Sequence, residues 1–467
     1  MLFAVASFVP RLLSFFLLRL YTAKLSESDY GTVDLLNSIV SVALPILMYD
    51  ISDAILINTV KYKGTQKQDS PFVYGIRILL LAAIEFTILV IGGSMFTNSD
   101  YKIYYCIYMI CLFICYAYQN NLLSYLRGID AVSIITVSAI ISSIVTIACN
   151  LVTIMWLDMG VLGLMTSTCL GTIAQSIYSS CKIRVLKIIK SPYRLSKENE
   201  HDMLKYSFPL IFAGLAWWVN NSSDRLFISM IVGVSYNGLY AVASKIPNIL
   251  SLFTRVISQA LQLSIYNEVK DGEAGEYLKH LYELYIFLIS MVCSILIILT
   301  KFMSKILFSG SFYEAWRYVP GLISANVIYA CIGYITDIEA ATSRTSSIAK
   351  ATILGAVLNS VLNLVLIPHF NVQGAVTATV VSYFVIWLVI ALHAQKTINI
   401  KFGILRNISM FLILIVQWIF ISLKTIYFIN ITLMFLLIVF NYRCLAELLK
   451  IGKSILRKIK GAKRGYK

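Results

Sequence analysis

The stretch "IYYCIYMICLFICYAYQNNLLSYL" at 103–126 runs for 24 residues without a charged side chain. Residues 131–157, 284–300 and 425–442 do the same. About 20 consecutive apolar residues are what an α-helix needs to cross the hydrocarbon core of a bilayer. Inside lipid no water can satisfy exposed peptide groups, so only helices and closed barrels span it. The runs show no period-2 alternation, which excludes the barrel pattern. Composition agrees: 59% of the 467 residues are hydrophobic and 13% are charged, more apolar surface than a soluble core hides. The fold class is therefore all-α, a polytopic membrane protein.

Apolar segments place spans near 2–23, 31–60, 72–97, 103–126, 131–156, 160–181, 204–232, 236–268, 280–300, 317–342, 347–368, 372–395, 403–423 and 425–448, about fourteen in all. The opening "MLFAVASFVPRLLSFFLLRLYTAKL" reads as the first of them, not as a cleaved leader. Lys and Arg crowd alternate connections. They include Lys61, Lys63 and Lys67; Arg127; the run from Lys182 to Lys205; Arg344 and Lys350; Lys396, Lys401 and Arg406; and the basic tail. The other connections are nearly free of base, apart from Lys301, Lys305 and Arg317. By the positive-inside rule both termini are cytoplasmic. The net charge of +16 is spread over loops, so it reports topology and not nucleic-acid binding. In the tail, Ile451, Ile455 and Ile459 share a helix face suited to lying on anionic lipid.

The nine cysteines form no CxxC pair, and the four histidines have no ligand spacing. With no metal pattern, no Gly-rich phosphate loop and no long external loop, enzymatic chemistry has no foothold here.

Two passages repeat. "NLVTIMWLDMGVLGLMTST" (150–168) is echoed by "NLVLIPHFNVQGAVTAT" (363–379), and "SDYGTVDLL" (28–36) by "SYNGLYAVA" (235–243). Both echoes lie about 210 residues apart, aligning Asn150 with Asn363, Gly163 with Gly374 and Gly31 with Gly238. The expectation is a parallel repeat of a six-helix unit: bundles over 1–190 and 191–396, with 397–467 adding two spans and the tail.

Charges within spans demand partners or a wet cavity, since each costs about 2.5–3.5 kcal/mol at the bilayer centre. Arg11 lies in the first span, Asp50 and Asp53 in the second, Glu85 in the third, Asp224 and Arg225 in the seventh, Lys245 and Arg255 in the eighth, and Asp337 and Glu339 in the tenth. Depth pairs Arg11 with Asp50 or Asp53, and Asp224 with Lys245. Asp50, Asp53 and Glu85 read first as ion-pair partners. Arg11, Arg225, Lys245 and Arg255 remain to line an electropositive cavity fit for a phosphate. Asn220, Asn221, Trp217, Trp218 and Gln259 are the candidates for contact with sugar. Asp53 or Asp224 would serve a coupling Na⁺ or H⁺; no other cofactor is indicated.

Three motifs bring a resemblance. "PRLLSFFLLRLYTAKLSESDYGTVDLL" (10–36), "NNSSDRLFISMIVGVSYNGLYAVASKI" (220–246) and "LNLVLIPHFNVQGAVTATVVSY" (362–383) resemble signatures of the bacterial polysaccharide biosynthesis flippases. These are the repeat-unit translocases of O-antigen and capsule pathways, in a superfamily that also holds multidrug exporters. The resemblance implies two bundles that move undecaprenyl-pyrophosphate-linked oligosaccharide between leaflets by alternating access. It implies no enzyme activity, and as neighbours a glycan polymerase and a chain-length regulator. Arg19 departs from the pattern, standing where such proteins usually carry proline. It either reaches the outer interface or joins the cationic lining. Competing readings are a small-molecule antiporter of the same superfamily, which a cationic cavity disfavours, and a membrane glycosyl polymerase, which would need a large external loop.

Overall fold

The computed structural model describes residues 17–450 apart from 97–102, most of 252–274, 342–345, 399, 401, 424–426 and 449. The described residues are predominantly helical and contain no strand. Arg11, Arg255, Gln259 and the basic tail at 451–467 lie outside them.

After a helical stretch over 17–24, the helices are α1 (Glu27–Leu47), α2 (Ile51–Lys61), α3 (Ser70–Phe96), α4 (Ile103–Gly128), α5 (Val132–Asn150), α6 (Val161–Ile183), α7 (Val185–Lys190), α8 (Lys197–Ile231) and α9 (Val234–Ala243). They continue with α10 (Gly275–Leu307), α11 (Val319–Ala341), α12 (Ser346–Phe370), α13 (Val372–Ile398), α14 (Ile404–Ser422) and α15 (Tyr427–Phe440). Nine of the described helices are long and apolar enough to cross a membrane, ten if the bent pair at 428–448 is one span. The difference from fourteen lies partly in α6 and α8, which are long enough but carry too many polar side chains. The described residues of the expected spans are mostly helical, with turns at 48–50, 244 and 441.

Local sequence explains the boundaries. Ser26 caps α1: its hydroxyl accepts from the Asp29 amide at 3.1 Å, and the Asp29 carboxylate accepts from the Ser26 amide at 3.4 Å. The second span, expected unbroken over 31–60, is interrupted. Pro45 removes a ladder hydrogen bond, and Tyr49 and Asp50 both take left-handed backbone, with φ of 50° and 48°. The α2 helix restarts at Ile51. At the end of α5 the chain widens into a π-helical turn, Leu151–Trp156. The echoed passage in the second copy is two residues shorter between Asn363 and Gly374 than the first is between Asn150 and Gly163. The wide turn and the residues just after it absorb the surplus.

Packing divides the chain into two compact units. The first comprises Met1–Val242, Ile306–Tyr313 and Ser360–Ala375; the second comprises Ala243–Lys305, Glu314–Asn359 and Val376–Lys467. In the first unit α5 packs on α6, α4 on α2, α3 and α6, and α1 along α8. In the second, polar groups fasten the last spans. Tyr282 of α10 accepts from Trp387 and Asn407, both at 3.1 Å, and Gln417 donates to Ser294 at 2.8 Å. Glu283 pairs with Arg406 at 3.0 Å.

The first echo marks a close crossing inside the first unit. A Cβ on Gly31 would stand 2.0 Å from the Val234 carbonyl oxygen, and one on Gly238 would stand 2.1 Å from that of Glu27. Backbone lies on backbone there, as in small-residue crossings of membrane helices. Gly31→Ala and Gly238→Ala should each destabilise the fold by about 1–3 kcal/mol or more. The check is a lowered midpoint of thermal unfolding in detergent, with Gly92→Ala, where a Cβ meets open space, leaving it unchanged.

Candidate functional site

Within the first unit, α1 and α8 meet through polar side chains at two places, Asp34 with Arg225 and Ser41 with Trp218. Asp34 lies two turns into α1 and is buried. Its Oδ1 accepts from Arg225 Nη1 at 3.0 Å and its Oδ2 from Asn237 Nδ2 at 3.4 Å. Asn237 also donates to the Gly31 carbonyl at 2.9 Å, so the glycine crossing and the ion pair share one residue. Next to this pair, Asp224 is 1% exposed. It accepts from the Tyr240 hydroxyl at 2.8 Å and from Asn363 Nδ2 at 2.6 Å. Further along α1, Ser41 accepts from the Trp218 indole at 2.8 Å, and Tyr108 of α4 donates to Asn37 at 2.8 Å. At the break between α1 and α2, a Cβ on Gly214 of α8 would lie 3.8 Å from the Asp50 carboxylate. Polar groups thus follow the seam from Asp34 to Asp50.

Arg225, expected to line a cationic cavity, is paired. Its partner is Asp34, which the sequence reading placed near the membrane surface by starting the second span at 31. The capping box starts α1 at Glu27, and this carries Asp34 inside the helix to the level of Arg225. A span start read from Ser-x-x-Asp at 26–29 would have found it. Asn237 and Tyr240 were also missed, because amides and phenols carry no charge to flag them. Asp224 keeps the hydrogen bonds above, and Lys245, its expected partner, belongs to the second unit just after a turn at Ser244.

The remaining candidates fall in several places. Asn220 and Asn221 each donate to the carbonyl four residues back, at 2.8 and 2.7 Å. Asn220 is buried and Asn221 exposed, so the two amides face different sides. Trp217 is half-buried. Asp50 is half-buried and Asp53 exposed, and neither has an ion pair among the described residues. Glu85, expected in an ion pair, has none among them either. In the second unit, Ser258 donates to Asp337 at 3.3 Å and Ser347 to the buried Glu339 at 2.6 Å. Arg19 donates to the carbonyls of Ile306 and Phe308, both at 3.2 Å. It therefore neutralises the C-terminal end of α10, where a cation favours the helix dipole. Thr22 joins it, donating to the Leu307 carbonyl at 3.2 Å.

This fold is shared with solved structures of membrane transporters. A lipid II flippase, MurJ, in an inward closed conformation superimposes with a TM-score of 0.70 at 17% identity, covering 96% of this chain and 99% of that one. An inward-facing multidrug resistance transporter of the MATE family gives 0.64 at 14% identity, covering 85% and 98%. The chain belongs to the polysaccharide biosynthesis protein family, whose model matches residues 1–262. Among characterised relatives, a probable low-salt glycan biosynthesis flippase of Haloferax volcanii, Agl15, is 24% identical over 225 residues. That match spans about half of each protein, 46% of both lengths.

Breaking the Asp34–Arg225 pair strands a charge among membrane helices, at a cost of about 3 kcal/mol. Asp34→Ala and Arg225→Ala should each lower the unfolding midpoint and the yield of folded protein. The double variant should lose less than the sum of the two. Simple additivity in the cycle would show that the pair contributes nothing.

Proposed function

We propose that this protein is a flippase for polyprenyl-pyrophosphate-linked oligosaccharide repeat units. It moves them from the cytoplasmic to the outer leaflet of a bacterial cytoplasmic membrane for assembly of a surface polysaccharide such as O-antigen or capsule. The observation that carries this reading is the polar seam between α1 and α8, running along helices otherwise built for lipid. A polar track through an apolar bundle suits a substrate whose head is polar and whose tail stays in the membrane. Membership of a polysaccharide biosynthesis family and a relative named as a glycan biosynthesis flippase support the same substrate class.

In this mechanism bundles over 1–190 and 191–396 rock about the 182–205 connection, both termini staying in the cytoplasm. Arg11, Lys245 and Arg255 meet the pyrophosphate, whose oxygens accept charge-assisted hydrogen bonds. Arg225 belongs to that set when its contact with Asp34 opens. Trp217, Trp218, Asn221 and Gln259 then face sugar. A Na⁺ or H⁺ at Asp224 or Asp53 supplies the driving force. Other membrane proteins of polysaccharide assembly, a polymerase among them, receive the product.

Cells lacking the protein should accumulate the lipid-linked repeat unit and lose surface polysaccharide. Lys245→Gln and Arg255→Gln should reduce delivery about tenfold or more, the loss of one charged hydrogen bond, at unchanged protein level. Normal surface polysaccharide in both variants would overturn the cationic mechanism. Accumulation of a water-soluble compound in place of a glycolipid would favour the antiporter reading.

A further inference from the structure

The connection between α6 and α8 carries a strongly charged surface. From Met159 to Lys197 the sequence contains no Asp or Glu, whereas 182–197 holds six Lys and Arg. Lys182, Arg184, Lys187 and Lys190 are exposed, and none of them has an ion pair among the described residues. Cations gathered without counterions repel one another and attract an anion. We propose that α7 is a docking site for anionic phospholipid, its bases holding headgroup phosphates and its bare apolar side lying on acyl chains.

The order of side chains around α7 favours lipid over other anions. At about 100° per residue, the sequence sets Ile188, Val185, Ile189, Leu186, Lys190 and Lys187 in turn around the helix. Ile188 and Val185 are buried in the protein. Ile189 and Leu186 come next, 37 and 74% exposed, and the exposed lysines follow. The helix thus grades from protein contact through bare apolar surface to charge. A free phosphate or an acidic polypeptide would use the lysines and leave Leu186 in water. A phospholipid uses both sides, as it does with helices that lie in the membrane interface.

The placement of α7 agrees. Ser70, the first residue of the membrane-crossing α3, donates to the Tyr193 carbonyl at 3.3 Å. The segment after α7 therefore lies where a span leaves the hydrocarbon. Clusters of roughly four to eight Lys or Arg at that level are suited to anionic lipid. Arg194 is occupied otherwise. It donates to the carbonyls of Ile189 at 2.8 Å, Tyr193 at 3.0 Å and Ser191. These bonds close the C-terminal end of α7 onto the chain that follows it, and Leu195 is buried just beyond. The short helix is held in place, and its four exposed bases stay available.

The test is native mass spectrometry of the full-length protein in non-ionic detergent, with dioleoyl-phosphatidylglycerol or dioleoyl-phosphatidylcholine added at equal concentration. The native chain should retain more phosphatidylglycerol, and inorganic phosphate should not displace it. Lys187→Gln and Lys190→Gln should each lower affinity for phosphatidylglycerol about fivefold. Lys63→Gln removes equal charge from a lysine already paired with Asp130, and should leave that affinity unchanged. Leu186→Gln should weaken retention as well, which a purely ionic contact would not. All four side chains are exposed, so the variants should fold as the native chain does. No preference for phosphatidylglycerol, an equal loss in Lys63→Gln, or an unchanged Leu186→Gln variant would overturn the inference. So would displacement of the lipid by inorganic phosphate or polyglutamate at matched concentration.

Discussion

Everything in this structure follows from one constraint: a polar group inside hydrocarbon must find its partner within protein. The Asp34–Arg225 pair is the plainest instance. The carboxylate lies on α1 and the guanidinium on α8, 191 residues apart in sequence, and neither helix could hold its charge alone. Asn237 then binds both Asp34 and the Gly31 carbonyl, so satisfying the charge also sets the register of the glycine crossing. Asp224 is handled by neutral donors, Tyr240 and Asn363. Removing any one member leaves another polar group facing lipid or apolar side chains, and this makes the cluster cooperative.

The same logic runs through the second unit with uncharged groups. Tyr282, Trp387 and Asn407 form one buried junction, and Gln417, Ser294 and the Asn430 carbonyl form another. Lipid offers no hydrophobic drive for helices to associate, so such contacts together with tight packing hold spans against each other. The spans beyond 397 looked like an addition in the sequence. In the fold they are fastened to α10 through Tyr282, Glu283 and Ser294.

Much of the architecture was legible because length and apolarity are nearly sufficient to define a spanning helix. Helix was expected and found over most of every described span. What the sequence hid was partnership. Arg225 appeared to be a surplus cation because the second span was started four residues late, and a late start left Asp34 at its very end, near the membrane surface, where no partner was sought. Asn237 and Tyr240 are ordinary residues whose role depends on a crossing between distant segments. The interruption at Tyr49–Asp50 was invisible for a different reason. Pro45 announces a kink, but two successive non-glycine residues with positive φ go against local preference, and surrounding structure must impose them. The glycine echoes were visible, and they marked a backbone contact that no hydropathy plot contains.

That interruption has a mechanical meaning. An unbroken helix behaves as a strut: a push at one end arrives at the other. Two left-handed residues in succession sever the strut and leave α1 and α2 as separate short rods sharing a swivel. Only a few turn hydrogen bonds, such as Asp50 N–H to the Pro45 carbonyl at 3.2 Å, then tie α2 and the basic connection after it to the Asp34 end of the span. Both rods also pack on α8, so a sideways route between the ion pair at one end and the charged loop at the other runs through that neighbouring helix.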